Sequence, residues 1–263
     1  MFEAMPPADR VMAPLRAWGD DVIAAARFLT RLPLDRIAPP TTGLLARSMR
    51  AFPIVGAGIG ALGWAALAVA SALGLPVAVS ALLALLTMVA VTGALHEDGL
   101  ADTADGFGGG EDRVTKLAIM RDSRSGAFGI IALVFSLGLR ATAIAGLVAA
   151  AGGAGPALIA AHSVSRGALP IMMRFLEPAR SDGLGASAGQ PDDVASLWCL
   201  GIGIFTAILC LGFGRAVIAL AVVAALTAGL SVLARRQIGG YTGDVLGAAQ
   251  QVGEMAMLLT AVA

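Results

Sequence analysis

Seven stretches of this chain approach the roughly 20 apolar residues needed to cross the hydrocarbon core of a bilayer. No motif limits the possible fold as strongly as that repetition does. They occupy residues 52–73, 77–95, 127–151, a run ending at 173, 197–213, 216–234 and 245–263. The fourth, which follows Gly152 to Pro156, is the most polar and carries His162, Ser163, Ser165 and Arg166. The fold class expected is all-α: a polytopic transmembrane helical bundle of about seven spans, forming one integral-membrane domain over 1–263. Composition agrees, with 57% hydrophobic and 14% charged residues against about 45–50% and 25% in soluble domains. The 34 glycines suit helices that pack closely inside lipid. Such hydrophobicity excludes disorder, and a net charge of zero without a basic stripe argues against nucleic acid as a partner. The bilayer is the expected environment, and the Gly and Ala faces would permit a homo-oligomer. Cys199 and Cys210 are eleven residues apart in one run, roughly 16 Å if helical, too far for a disulfide.

Charge orients the spans. With the first 50 residues cytoplasmic, the connections after spans two, four and six return to that side, and they are the long, charged ones. Of the 18 Lys and Arg, all but Arg140, Arg166 and Arg215 fall in these segments, as the positive-inside rule expects. The protein is therefore expected in the inner (cytoplasmic) membrane with its polar loops facing the cytoplasm.

Within the first 50 residues, Leu15, Trp18, Val22, Ala25 and Leu29 recur at three- and four-residue steps, one face of a helix. Asp20, Asp21, Arg27 and Arg31 lie largely off that stripe. An N-terminal amphipathic interfacial helix with Trp18 at headgroup level and a helix packed on the rest of the protein are equally compatible readings.

The chemistry-bearing stretch is 96–126, HEDGLADTADGFGGGEDRVTKLAIMRDSRSG. Asp98, Asp102 and Asp105 stand at i, i+4 and i+7, so a helix continuing from span two would carry them on one face. Like charges so placed destabilise a helix unless neutralised. Carboxylates with one His and no Cys nearby suit a hard ion, Mg²⁺ or Mn²⁺; the bland alternative is a solvated acidic turn. Glu97 points elsewhere on the wheel and reads as a peripheral carboxylate. Gly108 to Gly110 lacks the ending of a Walker A loop. Lys116, Arg121 and Arg124 supply cations beyond it, and Arg124 would clamp phosphate bidentately unless these side chains pair with neighbouring carboxylates. Arg140 lies mid-span, where charge is expensive, and needs a carboxylate such as Glu254. Arg166 and His162, at i and i+4, form a second intramembrane polar pair.

These residues carry a resemblance. HEDGLADTADGFGGG followed by IMRDSRSGAFG resembles the cobalamin synthase family of adenosylcobinamide-GDP ribazoletransferases. So do Phe28 to Pro33 with Phe52 to Gly56, Ser165-Arg166, and Gly240 to Ala248. The resemblance implies attack of the ribazole hydroxyl on the cobinamide-side phosphorus of adenosylcobinamide-GDP. GMP would leave, giving adenosylcobalamin or, from α-ribazole 5′-phosphate, its 5′-phosphate. It also implies Mg²⁺ as cofactor. On this reading His96, Asp98, Asp102 and Asp105 are the catalytic candidates, His96 as general base, as a partner of Asp98, or as a residue marking the interface. Metal candidates are Asp98, Asp102, Asp105, Asp122 and Asp244. Substrate-binding candidates are Arg31, Lys116, Arg121, Ser123, Arg124, Arg166, Tyr241 and Thr242, with Tyr241 alternatively an interfacial anchor.

Two other readings compete. Asp102-Thr103-Ala104-Asp105-Gly106 reproduces the opening of the CDP-alcohol phosphotransferase motif, but its Ala-Arg pair and second half are missing. A secondary transporter would place carboxylates near the midplane within an internal repeat, whereas these lie at the end of a span and no repeat is visible.

Overall fold

The computed structural model describes residues 7–34, 45–150 and 153–263. Its helices are α1 (Pro7–Leu29), α2 (Leu45–Ser48), α3 (Phe52–Ala72), α4 (Val77–Thr92), α5 (Leu95–Gly109) and α6 (Arg113–Ile119). Then follow α7 (Ala127–Ala149), α8 (Ala154–Phe175), α9 (Leu184–Ser187), α10 (Asp193–Leu211), α11 (Phe213–Ile238) and α12 (Gly243–Val262). There is no strand among the described residues, only an isolated bridge between Pro178 and Tyr241. A helix accounts for most of each of the seven apolar runs, although the third run's last residue, at 151, lies outside the described residues.

Among the described residues five helices are long and apolar enough to cross a membrane: α3 with its short lead-in, α7, α10, α11 and α12. The number is six if the bent pair α4 and α5 forms one span, against the seven expected. The other two runs differ for physical reasons. Helix α4 does not continue straight into the acidic stretch; α5 leaves it at 88°. The elbow is made by Gly93 (φ 65°) and Ala94 (φ 57°), both left-handed. The chain after α1 docks on it, Arg31 N donating to Val91 O at 2.8 Å. With Glu97, Asp98, Asp102 and Asp105 along it, α5 is too short and too polar to count as a span by itself, and the turn packs it against α7 and α12. Helix α8 is kept out of the apolar set by its own polar residues, and it is instead enclosed by protein. His162, Ser163, Ser165 and Arg166 are all buried, with α3, α10 and α12 packed around them. Helix α3 comes unusually near α8 because Gly56 and Gly60 lie against the backbone carbonyls of His162 and Leu158, where a Cβ would collide. That is the small-residue crossing expected between membrane helices.

The outer faces of α10 and α11 expose Leu197, Phe205, Leu209, Phe213 and Ile218, which suits contact with lipid. Helix α1 uses its apolar stripe against the protein: Ala25 and Leu29 are fully buried, and Trp18 meets Trp198 edge-on at 5.3 Å. Leu15's side chain lies outside the described residues. Asp21, expected off the stripe, is also fully buried. It accepts hydrogen bonds from Arg47 (2.8 Å), Ser48 (3.0 Å) and Arg50 (2.6 Å), because α2 returns over α1 and brings two guanidiniums to it. Both cysteines are free thiols, as their spacing required.

The polar connections meet at one end. Arg113 at the start of α6 donates to Ile238 O (2.8 Å) and Ala179 O (2.5 Å), tying together the connections that follow α5, α8 and α11.

Candidate active site

The site begins with two glycines. Gly99 on α5 and Gly247 on α12 face each other so closely that a Cβ on either would lie 3.1 Å from the other's Cα, and one on Gly99 would lie 2.7 Å from Asp244 O. This crossing carries Asp98 and Asp102 to the N-terminal end of α12, where Asp244 stands. Thr242 caps α12 by accepting from Val245 N (3.3 Å) and donates to Asp244 Oδ2 (3.0 Å). The same carboxylate oxygen receives Arg180 Nη2 at 3.2 Å.

A cavity of about 300 Å³ opens between these groups. One wall holds His96, Asp98, Arg180 and Asp244; the other is apolar, built by Phe28, Leu29, Met49, Phe52, Leu169 and Met173. His96 is buried with Nδ1 unpartnered, and Arg180 Nη1 is likewise buried without a partner. Asp102, half-buried beside the cavity, is pushed up to about 7 by burial and then by the like charges of Asp98, Asp244 and Asp105. Such crowding is what a cation relieves. Asp98, Asp102 and Asp244 offer the hard oxygen donors that Mg²⁺ takes, so the donor set fits the ion in kind. No ready-made metal shell of three or more His, Cys, Asp or Glu side chains is present among the described residues.

Residues 21–262 match the family described as cobalamin-5-phosphate synthase. The chain belongs to that family. It is 46% identical over 248 residues to the adenosylcobinamide-GDP ribazoletransferase of Bradyrhizobium diazoefficiens, covering 92% of this chain and 93% of that one. With the ribazoletransferase of Azorhizobium caulinodans the identity is 48% over 250 residues, 91% and 94% of the two chains. A Mesorhizobium japonicum protein of the same name is 46% identical over 242 residues, 92% of each chain. No solved structure matches. Family membership makes the chain a transferase.

This cobalamin-5-phosphate synthase family member gathers only part of the residues singled out in its sequence. His96, Asp98, Asp102 and Asp244 come together. Asp105 does not join them as an open ligand: Gly126 N (2.7 Å) and Gly129 N (2.8 Å) donate to its two oxygens, and it anchors the start of α7. Asp122 turns away from the cavity and is bound by Arg124 (2.7 Å), which holds its carboxyl down at about 2. Arg124 is thus spent on its neighbour, Arg121 pairs with Asp182 at 2.6 Å, and Lys116 Nζ reaches Glu111 O at 3.4 Å. Ser123 is exposed on the same turn. The expected phosphate clamp is an outward-facing set of local ion pairs. Arg31 is exposed and lies over Gly93 at the elbow. Tyr241 is almost fully buried, packed in the core rather than placed at an interface or in a binding loop. Its backbone bridges to the segment after α8, donating to Glu177 O (3.0 Å) and accepting from Ala179 N (2.7 Å).

Glu97 corrects the sequence reading. It is buried, not peripheral, and accepts from Arg140 Nη1 at 3.0 Å. Arg140 Nη1 also reaches Glu254 Oε1 at 3.1 Å, the partner expected for it. Gln251 donates to Glu97 (3.1 Å) and Gln250 to Glu254 (2.7 Å). Arg166 Nη1 stands 2.8 Å from His162 Nδ1, whose other ring nitrogen lies 3.5 Å from Glu254. Arg166 therefore belongs to an interior network of two arginines and two glutamates, behind His96 and not lining the cavity. The residue missed by sequence reasoning is Arg180, in the connection between α8 and α9; the Gly240–Asp244 turn that pins it was visible, but not its partner segment.

Proposed function

We propose that this chain transfers the cobinamide phosphate of adenosylcobinamide-GDP to the hydroxyl of α-ribazole or α-ribazole 5′-phosphate, releasing GMP. The product is adenosylcobalamin or its 5′-phosphate. The observation that carries the reading is the two-sided cavity, in which an apolar wall that suits the base of a nucleoside faces a wall of carboxylates, imidazole and guanidinium. Its setting is the inner membrane, with the polar end of the bundle towards the cytoplasm and both substrates arriving there.

Asp98, Asp102 and Asp244 would hold Mg²⁺, which supplies charge neutralisation at a transferring phosphate. His96 is placed to accept the proton of the attacking hydroxyl: its imidazole lines the cavity beside Asp98. General-base assistance of this kind is worth roughly 10² to 10⁴ in rate. The apolar wall from α1, α3 and α8 orients the base and excludes water, which would otherwise compete as nucleophile. The Thr242–Asp244 hydrogen bond fixes the carboxylate nearest Arg180.

The test is GMP release by detergent-purified protein given Mg²⁺, adenosylcobinamide-GDP and α-ribazole. Release should require all three, fall at least a hundredfold in Asp98→Asn and Asp102→Asn, and fall similarly in His96→Ala. Absence of GMP from the wild type would defeat the reaction, and undiminished release from the aspartate variants would defeat the metal assignment.

A further inference from the structure

The two connections at the polar end of the bundle contain one guanidinium that the molecule holds in place and leaves unused. Arg180 follows a segment fixed at three points. Ala179 N and Glu177 O hydrogen-bond the backbone of Tyr241, and Ala179 O is held by Arg113. Its own side chain retains 16% of its exposure and turns inward to the cavity wall shared with His96, Asp98 and Asp244. Of its donors, Nη2 reaches Asp244 at a long 3.2 Å, and Nη1 is buried with nothing to bond. A guanidinium has five N–H donors, and leaving a charged one buried and unmet is costly. Arg121 and Arg124, by contrast, have closed, short carboxylate pairs outside the cavity. A guanidinium that lines a small cavity with its donors incompletely met matches a phosphate ester, for which its planar fork is suited.

We infer that Arg180 is a substrate-binding residue whose guanidinium receives a phosphate-ester oxygen from the cavity it lines. This rests on the ribazoletransferase reading and adds to it an anion site on the cavity wall. Two sources of that phosphate fit: the 5′-phosphate of the acceptor nucleoside, and the pyrophosphate of the GDP-linked donor. A cavity of about 300 Å³ is at the lower limit for a small-molecule site and is of nucleoside size, so a corrinoid would have to lie outside it.

The experiment measures binding to the purified full-length chain by titration calorimetry, using α-ribazole, α-ribazole 5′-phosphate and GDP as probes, beside GMP-release kinetics. If the acceptor phosphate is the ligand, wild type binds the phosphorylated nucleoside at least tenfold more tightly than α-ribazole. Arg180→Met would abolish that difference without altering α-ribazole binding, and Arg180→Lys would restore part of it. If the donor is the ligand, Arg180→Met weakens GDP at least tenfold and raises the KM of the donor with either acceptor. Should the Met variant fail to fold, Arg180→Gln, which keeps an N–H for Asp244, carries the same comparison. Wild-type binding of all three probes by a folded variant overturns the inference. A wild type that releases no GMP while showing the Arg180-dependent contrast would instead refute the functional reading and leave the anion site standing.

Discussion

Arg140→Met tests the interior of the bundle most directly. Arg140 is 1% exposed and sits between Glu97 at 3.0 Å and Glu254 at 3.1 Å. With Arg166, these residues form a buried set whose formal charges cancel. Removing Arg140 leaves two carboxylates facing one arginine, a net charge of −1 in a medium that cannot solvate it. Breaking a buried pair from one side costs about 3–5 kcal/mol, and in a chain of this size each kcal/mol moves the melting temperature by about 2–4 °C. The variant should therefore melt on the order of 10 °C lower than wild type in the same detergent. The double variant Arg140→Met with Glu97→Gln cancels the charges again and should regain at least half of that loss. Such coupling of about 2 kcal/mol is expected between residues in direct contact. Thermal unfolding followed by tryptophan fluorescence reads both numbers. A single variant within about 0.5 kcal/mol of wild type, or a double variant no more stable than the single, would refute the claim that charge balance holds α5 to α7 and α12.

Gly99→Ala should lower both stability and GMP release, because the added Cβ would lie 2.7 Å from Asp244 O, whereas Gly58→Ala, with nothing within 4 Å, should match wild type in melting and rate. Asp21→Asn removes the charge that holds Arg47, Ser48 and Arg50; a loss of about 3 kcal/mol should appear in hydrogen exchange as faster opening of α1 and α2 with the rest of the bundle unchanged. Arg121→Ala and Arg124→Ala remove only exposed pairs, which contribute little; both should release GMP within twofold of wild type, and a hundredfold loss in either would return these arginines to the phosphate site.

What could be read from the sequence was whatever depends on one helix at a time. The apolar runs were legible because crossing lipid fixes their length, and the Asp98–Asp102–Asp105 face was legible because helical periodicity is local. Its meaning was not, since i to i+7 spans about 10 Å along the axis, too far for one ion to hold both ends. Asp98 shares the cavity wall with Asp244 at one end, and Asp105 meets the α7 amides at the other. Arg180 gave no signal because its place depends on a bridge to Tyr241, some 60 residues later and across three helices. Glu97 was misread for a related reason. Its direction on the wheel was right, but only the elbow at Gly93 and Ala94 turns that direction into the protein. On a helix continuing straight from α4, Glu97 would have been a surface charge, and Asp98 would have been carried away from Asp244. The 88° turn settles both at once, pointing Glu97 at Arg140 and Asp98 at the cavity one residue later. Because the two share one short polar helix, the interior charge pair and the reactive carboxylates cannot be independent. A change that frees Glu97 must also loosen Asp98, so Arg140 variants should lose GMP release at temperatures well below their own melting point.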